Sequence, residues 1–200
     1  MKTPFVLCMT TALVLSVGGP AIGQPKKYDI KSGILTLDIT VATGGMKLSS
    51  KAIVYFDDYG AKECREKYTG DKLTESNFSD GKTLYTVIHS KKTAYRHGEA
   101  LRGTELRFDQ NEMPEKDRAV EKIRLLPNVV IAGKTCASFI KEGISENVTF
   151  AGWGHITFLV DLQGASVKST TKVTSIQENV SIPPEKFAVP AGYEVKQSPI

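Results

Sequence analysis

Residues 33–43 read Gly-Ile-Leu-Thr-Leu-Asp-Ile-Thr-Val-Ala-Thr, and the alternation in that run constrains the fold more than any other feature of the chain. Leu35, Leu37, Ile39 and Val41 fall on one side; Thr36, Asp38 and Thr40 fall on the other. A side-chain period of two, rich in β-branched residues, belongs to an antiparallel strand with one face buried and one face wet. Gly44-Gly45 follows, a dipeptide that accepts the positive φ angles of a tight hairpin. The partner strand runs from about Lys47 to Phe56, with Leu48, Ala52, Val54 and Phe56 on one face. Its other face, Lys51, Ile53 and Tyr55, is less polar than full exposure to water calls for.

The same grammar predicts strands over Ala61–Tyr68, Lys82–His89, Lys92–His97, Lys134–Lys141, Asn147–Ala151, His155–Leu162 and Ser166–Gln177, with a short last strand near Tyr193. Turn clusters at Asp57-Asp58-Tyr59-Gly60 and Ser79-Asp80-Gly81 separate the early ones. One segment changes period. Pro114 to Leu125 carries Ala119, Val120 and Ile123 as a helical stripe, Pro114 suits a first helical turn, and Pro127 reads as a stop. About eight or more strands with one short helix predict a mainly β, α+β fold: a curved antiparallel sheet or incomplete β-barrel. No repeat, low-complexity tract or flexible linker divides the chain, so residues 24–200 read as one domain.

Residues 1–23 read as an address. Lys2 is followed by an apolar span from Phe5 to Val17, then by small residues up to Gly23. That is the layout of a cleaved secretory signal peptide, with Ala21 and Gly23 before the cut. The span is broken by Thr10, Thr11 and Ser16 and falls short of the ~20 apolar residues a bilayer crossing needs. Cleavage after Gly23 leaves 177 residues with a formal charge of +3, exported and, in a bacterium, periplasmic. No other run is long and apolar enough to span a membrane. Of the three cysteines Cys8 leaves with the leader. Cys64 and Cys136 remain, either a disulfide worth about 4 kcal/mol in an oxidising compartment or two buried thiols.

The chemical motifs are negative. His89, His97 and His155 have no metal-ligand spacing, although His89 and His97 flank one hairpin and could meet across it. No nucleophile elbow or phosphate-binding loop occurs. Asp57-Asp58 lies in a turn, and Gly152-Trp153-Gly154 reads as a turn beside a large indole. The mild net charge of +4 and only two adjacent basic pairs, Lys26-Lys27 and Lys91-Lys92, argue against nucleic acid as a partner. The chain therefore reads as a non-enzyme without metal or cofactor. What the pattern leaves over is apolar strand surface. If the sheet curves, Leu37, Ile39, Val41, Val54, Phe56 and Trp153 either line a cavity for a hydrophobic ligand or fill a closed core.

Four segments carry a family likeness: Tyr-Asp-Ile-Lys-Ser-Gly-Ile-Leu-Thr (28–36), Val-Tyr-Phe-Asp-Asp-Tyr-Gly-Ala-Lys-Glu (54–63), Ile-Ala-Gly-Lys-Thr-Cys (131–136) and Asn-Val-Ser-Ile-Pro-Pro-Glu-Lys-Phe-Ala-Val-Pro-Ala-Gly-Tyr-Glu-Val (179–195). In order, they resemble a branch of bacterial exported proteins related to the LolA/LolB lipoprotein-localisation superfamily. The resemblance implies an incomplete antiparallel β-barrel whose concave apolar face is lidded by helices and, in the characterised carriers, receives lipoprotein acyl chains. The polar stretch Gln24–Lys31 is too short for the helix with which those carriers begin, and no carrier residue maps onto a position here. The expectation is a periplasmic protein that shelters a lipid, an acyl chain or another hydrophobic ligand. The alternative is an envelope structural or assembly factor that binds a protein through an exposed strand edge or surface patch.

Overall fold

A computed structural model describes residues 26–100 and 113–198; the leader read from residues 1–23 lies outside them. One half of the chain contributes β1 (Gly33–Thr43), β2 (Met46–Asp57), β3 (Lys62–Thr69), β4 (Lys72–Ser79), β5 (Thr83–Ile88) and β6 (Thr93–Glu99). A short helix α1 (Glu115–Val120) leads into β7 (Ile123–Ile131), β8 (Lys134–Glu142), β9 (Glu146–Trp153), β10 (Ile156–Gly164) and β11 (Val167–Glu178), and β12 (Glu194–Gln197) closes the chain. The twelve strands of the described residues form one curved sheet, in the order β12-β6-β5-β4-β3-β2-β1-β11-β10-β9-β8-β7. The sheet does not close into a barrel, so β12 and β7 are its edges.

Two antiparallel meanders make up this order, β1 to β6 and β7 to β11. The long β1–β11 ladder welds them, pairing Gly33 with Glu178 at one end and Thr43 with Val167 at the other. Its register slips once, between Thr36 and Leu37, which leaves Thr174 unpaired in β11. A bulge of this kind bends a strand and increases its twist. The β1–β2 hairpin turns on Gly44 and Gly45 at φ +55° and +80°, the two positive values that such a two-residue turn requires. Gly33 is needed for a different reason: a Cβ there would stand 2.6 Å from Phe56 Cζ and 2.8 Å from the Gln177 carbonyl.

Both faces of the first meander are covered. Leu35 and Leu37 of β1 and Ala52, Val54 and Phe56 of β2 belong to one buried cluster, joined by Tyr28, Val173 and Phe158. The opposite face carries Cys64, Phe78, Val87 and Ala94, packed beneath Ile182 and Phe187 of the segment that follows β11. That segment crosses the meander and places β12 parallel to β6. Its passage explains the semi-apolar second face of β2, because Tyr55 packs against the second cluster. Pro183-Pro184 opens a 3₁₀ turn, Pro184–Phe187, which drives the Phe187 ring into the sheet.

One expectation changes, and one open alternative is decided. The helix predicted over Pro114–Leu125 stops at Val120, and Ile123, Leu125 and Leu126 belong to β7. Pro127 does not terminate a helix but sits where the β7–β8 register shifts, between Leu126 and Val129. A proline lacks the ladder donor and is tolerated at bulges and on edge strands, and β7 is both. The helix has no buried residue and packs on β7. Of the two readings of the cysteines, the structure has the thiols. Cys64 and Cys136 are buried free thiols in the two separate clusters, and Cys64 pairs with Tyr55, which alternation turns away from Val54 and Phe56.

Candidate functional site

The apolar face of β1 changes character along its length. Leu35 and Leu37 are 3% and 6% exposed, whereas Ile39 and Val41 are only half-buried. Because residues directly opposite in a ladder share a face, the register carries this boundary across the sheet. Ile39 faces Thr171, Thr171 faces Val160, Val160 faces Phe150, and Phe150 faces Phe139. One step further out, Val41 lies in a row with Ser169, Leu162, Val148 and Lys141 on one side and Leu48 on the other.

These two rows form an apolar shelf at the hairpin end of the face. Phe139 is its buried root and stacks on Phe150, with ring centroids 5.2 Å apart and planes at 27°. Phe150, Val160, Leu162 and Val148 are half-buried, and Leu48 at the rim is 65% exposed. Thr171 and Ser169 interrupt the shelf with hydroxyls. In the outer row Lys141, whose ammonium is 2.9 Å from Glu121 Oε2, faces Ile123 of β7.

The six residues singled out in the sequence divide accordingly. Leu37, Val54 and Phe56 are buried in the first cluster and fill the interior. Ile39 and Val41 lie on the shelf. Trp153, at the end of β9, is half-buried beside Phe158, their rings meeting edge to face at 6.3 Å. Sequence reasoning misses Phe139, Phe150, Val160 and Leu162. Their period-two spacing in β8 to β10 is visible, but only the β1–β11 ladder sets them beside Ile39.

A second arrangement lies on the opposite face, under the closing segment. Glu66 is 5% exposed; its carboxylate accepts from Lys186 Nζ at 2.6 Å and from the Tyr68 hydroxyl at 2.7 Å. Lys186 also stands 4.3 Å over the Tyr55 ring. Burial depresses the Lys186 ammonium, but its hydrogen bond to Glu66 and that carboxylate's charge override this and raise it. Burial, helped by the Glu66 charge, pushes the Cys64 thiol up to about 12.

His89 does not meet His97 across their hairpin. His89 Nε2 is 2.8 Å from Ser76 Oγ and its Nδ1 is 3.0 Å from the Tyr193 hydroxyl, whereas His97 bonds Thr86 at 2.9 Å. The Ser76–His89 spacing is that of a nucleophile and base, but Ser76 is 6% exposed, on a strand that the Pro184–Phe187 turn packs against. The pair anchors the closing segment. Among the described residues no cluster of His, Cys, Asp and Glu could hold a metal ion, and no helix is long and apolar enough to cross a membrane.

An open twelve-stranded sheet, antiparallel except where β12 joins β6, with one filled end and one half-open apolar end defines the class. No family model matches the chain, and no curated protein matches it. Solved structures do. A conserved protein from Thermus thermophilus aligns over 86% of this chain and 93% of its own at TM-score 0.57 and 9% identity. A chain of the Pseudomonas aeruginosa MucA/MucB complex aligns over 82% of this chain and 58% of its own at TM-score 0.51 and 12% identity. A LolA superfamily protein from Nitrosomonas europaea is matched over 81% and 94%, at TM-score 0.41 and 11% identity. At identities this low the likeness is one of fold alone.

Proposed function

We propose that this chain is a non-catalytic binding protein of the cell envelope that shelters an acyl chain or similarly apolar ligand on the shelf around Ile39, Phe150 and Val160. The carrying observation is the pair of apolar rows left half-exposed at one end of a face whose other end is packed solid. Contiguous exposed apolar surface marks a binding site more often than scattered apolar residues do. Each methylene moved onto it from water contributes about 0.8 kcal/mol. The leader pattern in residues 1–23 supports export, and the fold shared with envelope proteins agrees with that compartment.

The test is native mass spectrometry of protein purified from envelope fractions, paired with Phe150→Asp. Co-purifying lipid on the parent and none on the variant supports the reading. A lipid-free parent that also fails to displace a fluorescent fatty acid contradicts it.

A second reading has its own observation. Edge strand β7 exposes Val130 at 72% and Val129 at 38%, a stretch suited to strand addition by a partner protein. The fold's occurrence in a MucA/MucB complex supports such a role. Crosslinking in cells separates the two, since this reading requires a stoichiometric protein partner lost on Val130→Lys.

A further inference from the structure

The apolar face that is sealed at Leu37 and half-buried at Ile39 does not stop at the shelf. It runs on to the turns at the end of the sheet, where it stands in water. Met46 faces Thr43 and Thr43 faces Val167, one step beyond the row of Leu48 and Val41. Met46 and Leu48 are each 65% exposed, Val167 is 40% exposed, and Ile144, in the turn between β8 and β9, is wholly exposed. The turns are neighbours: a Cβ on Gly164 would stand 2.9 Å from the Val167 carbonyl oxygen and 3.6 Å from Glu146 Cβ. The β1–β2 hairpin also projects. Its pairing with β3 starts at Lys51, so residues 46–50 run past that ladder, about 16 Å of ribbon.

The reverse face of the same two hairpins is basic. Alternation turns Lys47 and Lys51 of β2 and Lys168 and Lys172 of β11 away from Met46, Leu48 and Val167. Lys47 and Lys168 lie on either side of Ala42, Lys51 and Lys172 on either side of Asp38, and all four lysines are exposed. Two carboxylates oppose them on these strands: Asp38, and Asp161, which accepts from Thr170 and Gln163. In the adjoining turn Arg124 pairs with Glu142 and Lys141 with Glu121, and Lys122 offsets Glu146 in charge. Of the two turns set further back at this end, Asp71 and Lys72 cancel while Lys91 and Lys92 add. With both signs counted, the end is positive, and the lysines gather on the hairpins that carry Met46 and Val167.

Apolar tips backed by lysines are the complement of an anionic lipid surface. Aliphatic side chains enter the boundary between headgroups and acyl chains, and lysine stems let the ammonium groups stay at the phosphates. A protein partner fits less well. Lysine is depleted at protein interfaces, and the apolar side chains here stand on three separate turns.

We infer that the turn end of the sheet docks on a bilayer carrying anionic headgroups, with Met46, Leu48, Val167 and Ile144 at the headgroup–chain boundary and the four lysines against the phosphates. Docking in this orientation sets the open end of the shelf at the membrane surface. It goes beyond the shelf reading and does not require the shelf to hold an acyl chain.

The experiment sediments the purified protein with vesicles of phosphatidylcholine, or of an equal mixture of phosphatidylcholine and phosphatidylglycerol. A lysine near an anionic surface is worth about fivefold in affinity, and a buried aliphatic side chain about tenfold. Lys47→Gln with Lys168→Gln should therefore weaken binding to the mixed vesicles about twentyfold and to the neutral ones less than twofold. Met46→Ser with Ile144→Ser should weaken both at least about tenfold. All four positions are exposed, so both variants should keep the parent's urea midpoint. An environment-sensitive dye on Ile144→Cys should shift to the blue on the mixed vesicles. Protein that stays in solution with both vesicles, a dye that keeps its aqueous emission while the protein sediments, or a Met46→Ser, Ile144→Ser variant that binds like the parent overturns the assignment. A dimer that this variant abolishes would give the surface to a second copy and overturn it too. Lauric acid binding is measured alongside: vesicle binding without it upholds docking and removes the shelf, and the reverse removes docking alone.

Discussion

Removing the Lys186 ammonium while keeping its stem, as Lys186→Met does, tests how the closing segment is held. The variant leaves the Glu66 carboxylate at 5% exposure with neutral hydroxyls, that of Tyr68 at 2.7 Å and that of Tyr55, in place of a cation. Breaking a buried ion pair from one side costs about 3–5 kcal/mol, because the remaining charge stays desolvated. The Lys186 side chain is 27% exposed, so water reaches part of the vacated space and the expected loss is about 2–3 kcal/mol. Against a total stability of about 5–15 kcal/mol that is easily measured. The assay is urea unfolding of the parent, Lys186→Met, Glu66→Gln and the double variant. Glu66→Gln with Lys186→Met should recover at least about 1 kcal/mol relative to the sum of the singles, since neither charge is then stranded. Hydrogen exchange should rise first in residues 180–193. A Lys186→Met variant within about 0.5 kcal/mol of the parent, or a cycle without coupling, refutes the argument.

Other consequences are separable. Phe56→Ala, at a fully buried site, should cost about 3–5 kcal/mol of stability. Phe150→Asp should abolish fatty-acid binding with a smaller stability loss, and equal stability losses would mean that the shelf is core. Burial holds His89 below its ordinary 6.5, so as pH falls the unfolded chain takes up the proton first. Stability present above about pH 6.5 is therefore lost on descent toward the lower folded value. Urea midpoints at pH 7.5, 6.5 and 5.5 should fall less steeply in His89→Gln, and identical slopes reject the assignment. Finally, a thiol reagent should leave the native protein unlabelled and add to both Cys64 and Cys136 on denaturation without reductant, whereas absence of label in the denatured chain would mean a disulfide.

The local strand grammar is legible where a strand has one wet face. β1 can be read to the residue, and Gly44-Gly45 identifies its turn. β4 escapes that reading, because Lys-Leu-Thr-Glu-Ser-Asn-Phe-Ser has only two apolar residues and buries Ser76 and Ser79 along with Phe78. Polar burial of that kind depends on partners distant in sequence, here His89 for Ser76. The predicted helix overruns since Ala119, Val120 and Ile123 keep a helical spacing, and nothing local says that Pro127 will meet a bulge on an edge strand.

The candidate site divides the same way. The alternation identifies the apolar face that holds Leu37, Ile39, Val41, Val54 and Phe56. It does not show where that face is filled and where it opens, because the answer depends on the ladder between residues 33–43 and 167–178. Through that ladder Phe150 and Val160 come beside Ile39. Trp153 is conspicuous in sequence, but its polar neighbours Asn128, Thr135 and Asp29 come from three separate segments.

The most direct test of the shelf is methyl NMR of the purified protein titrated with lauric acid. Resonances of Ile39, Val41, Val160 and Leu162 should shift together and saturate, while those of Leu37 and Val54, sealed in the packed end, should move little. No saturable shift at the first four, or shifts spread evenly over all six, would contradict the account.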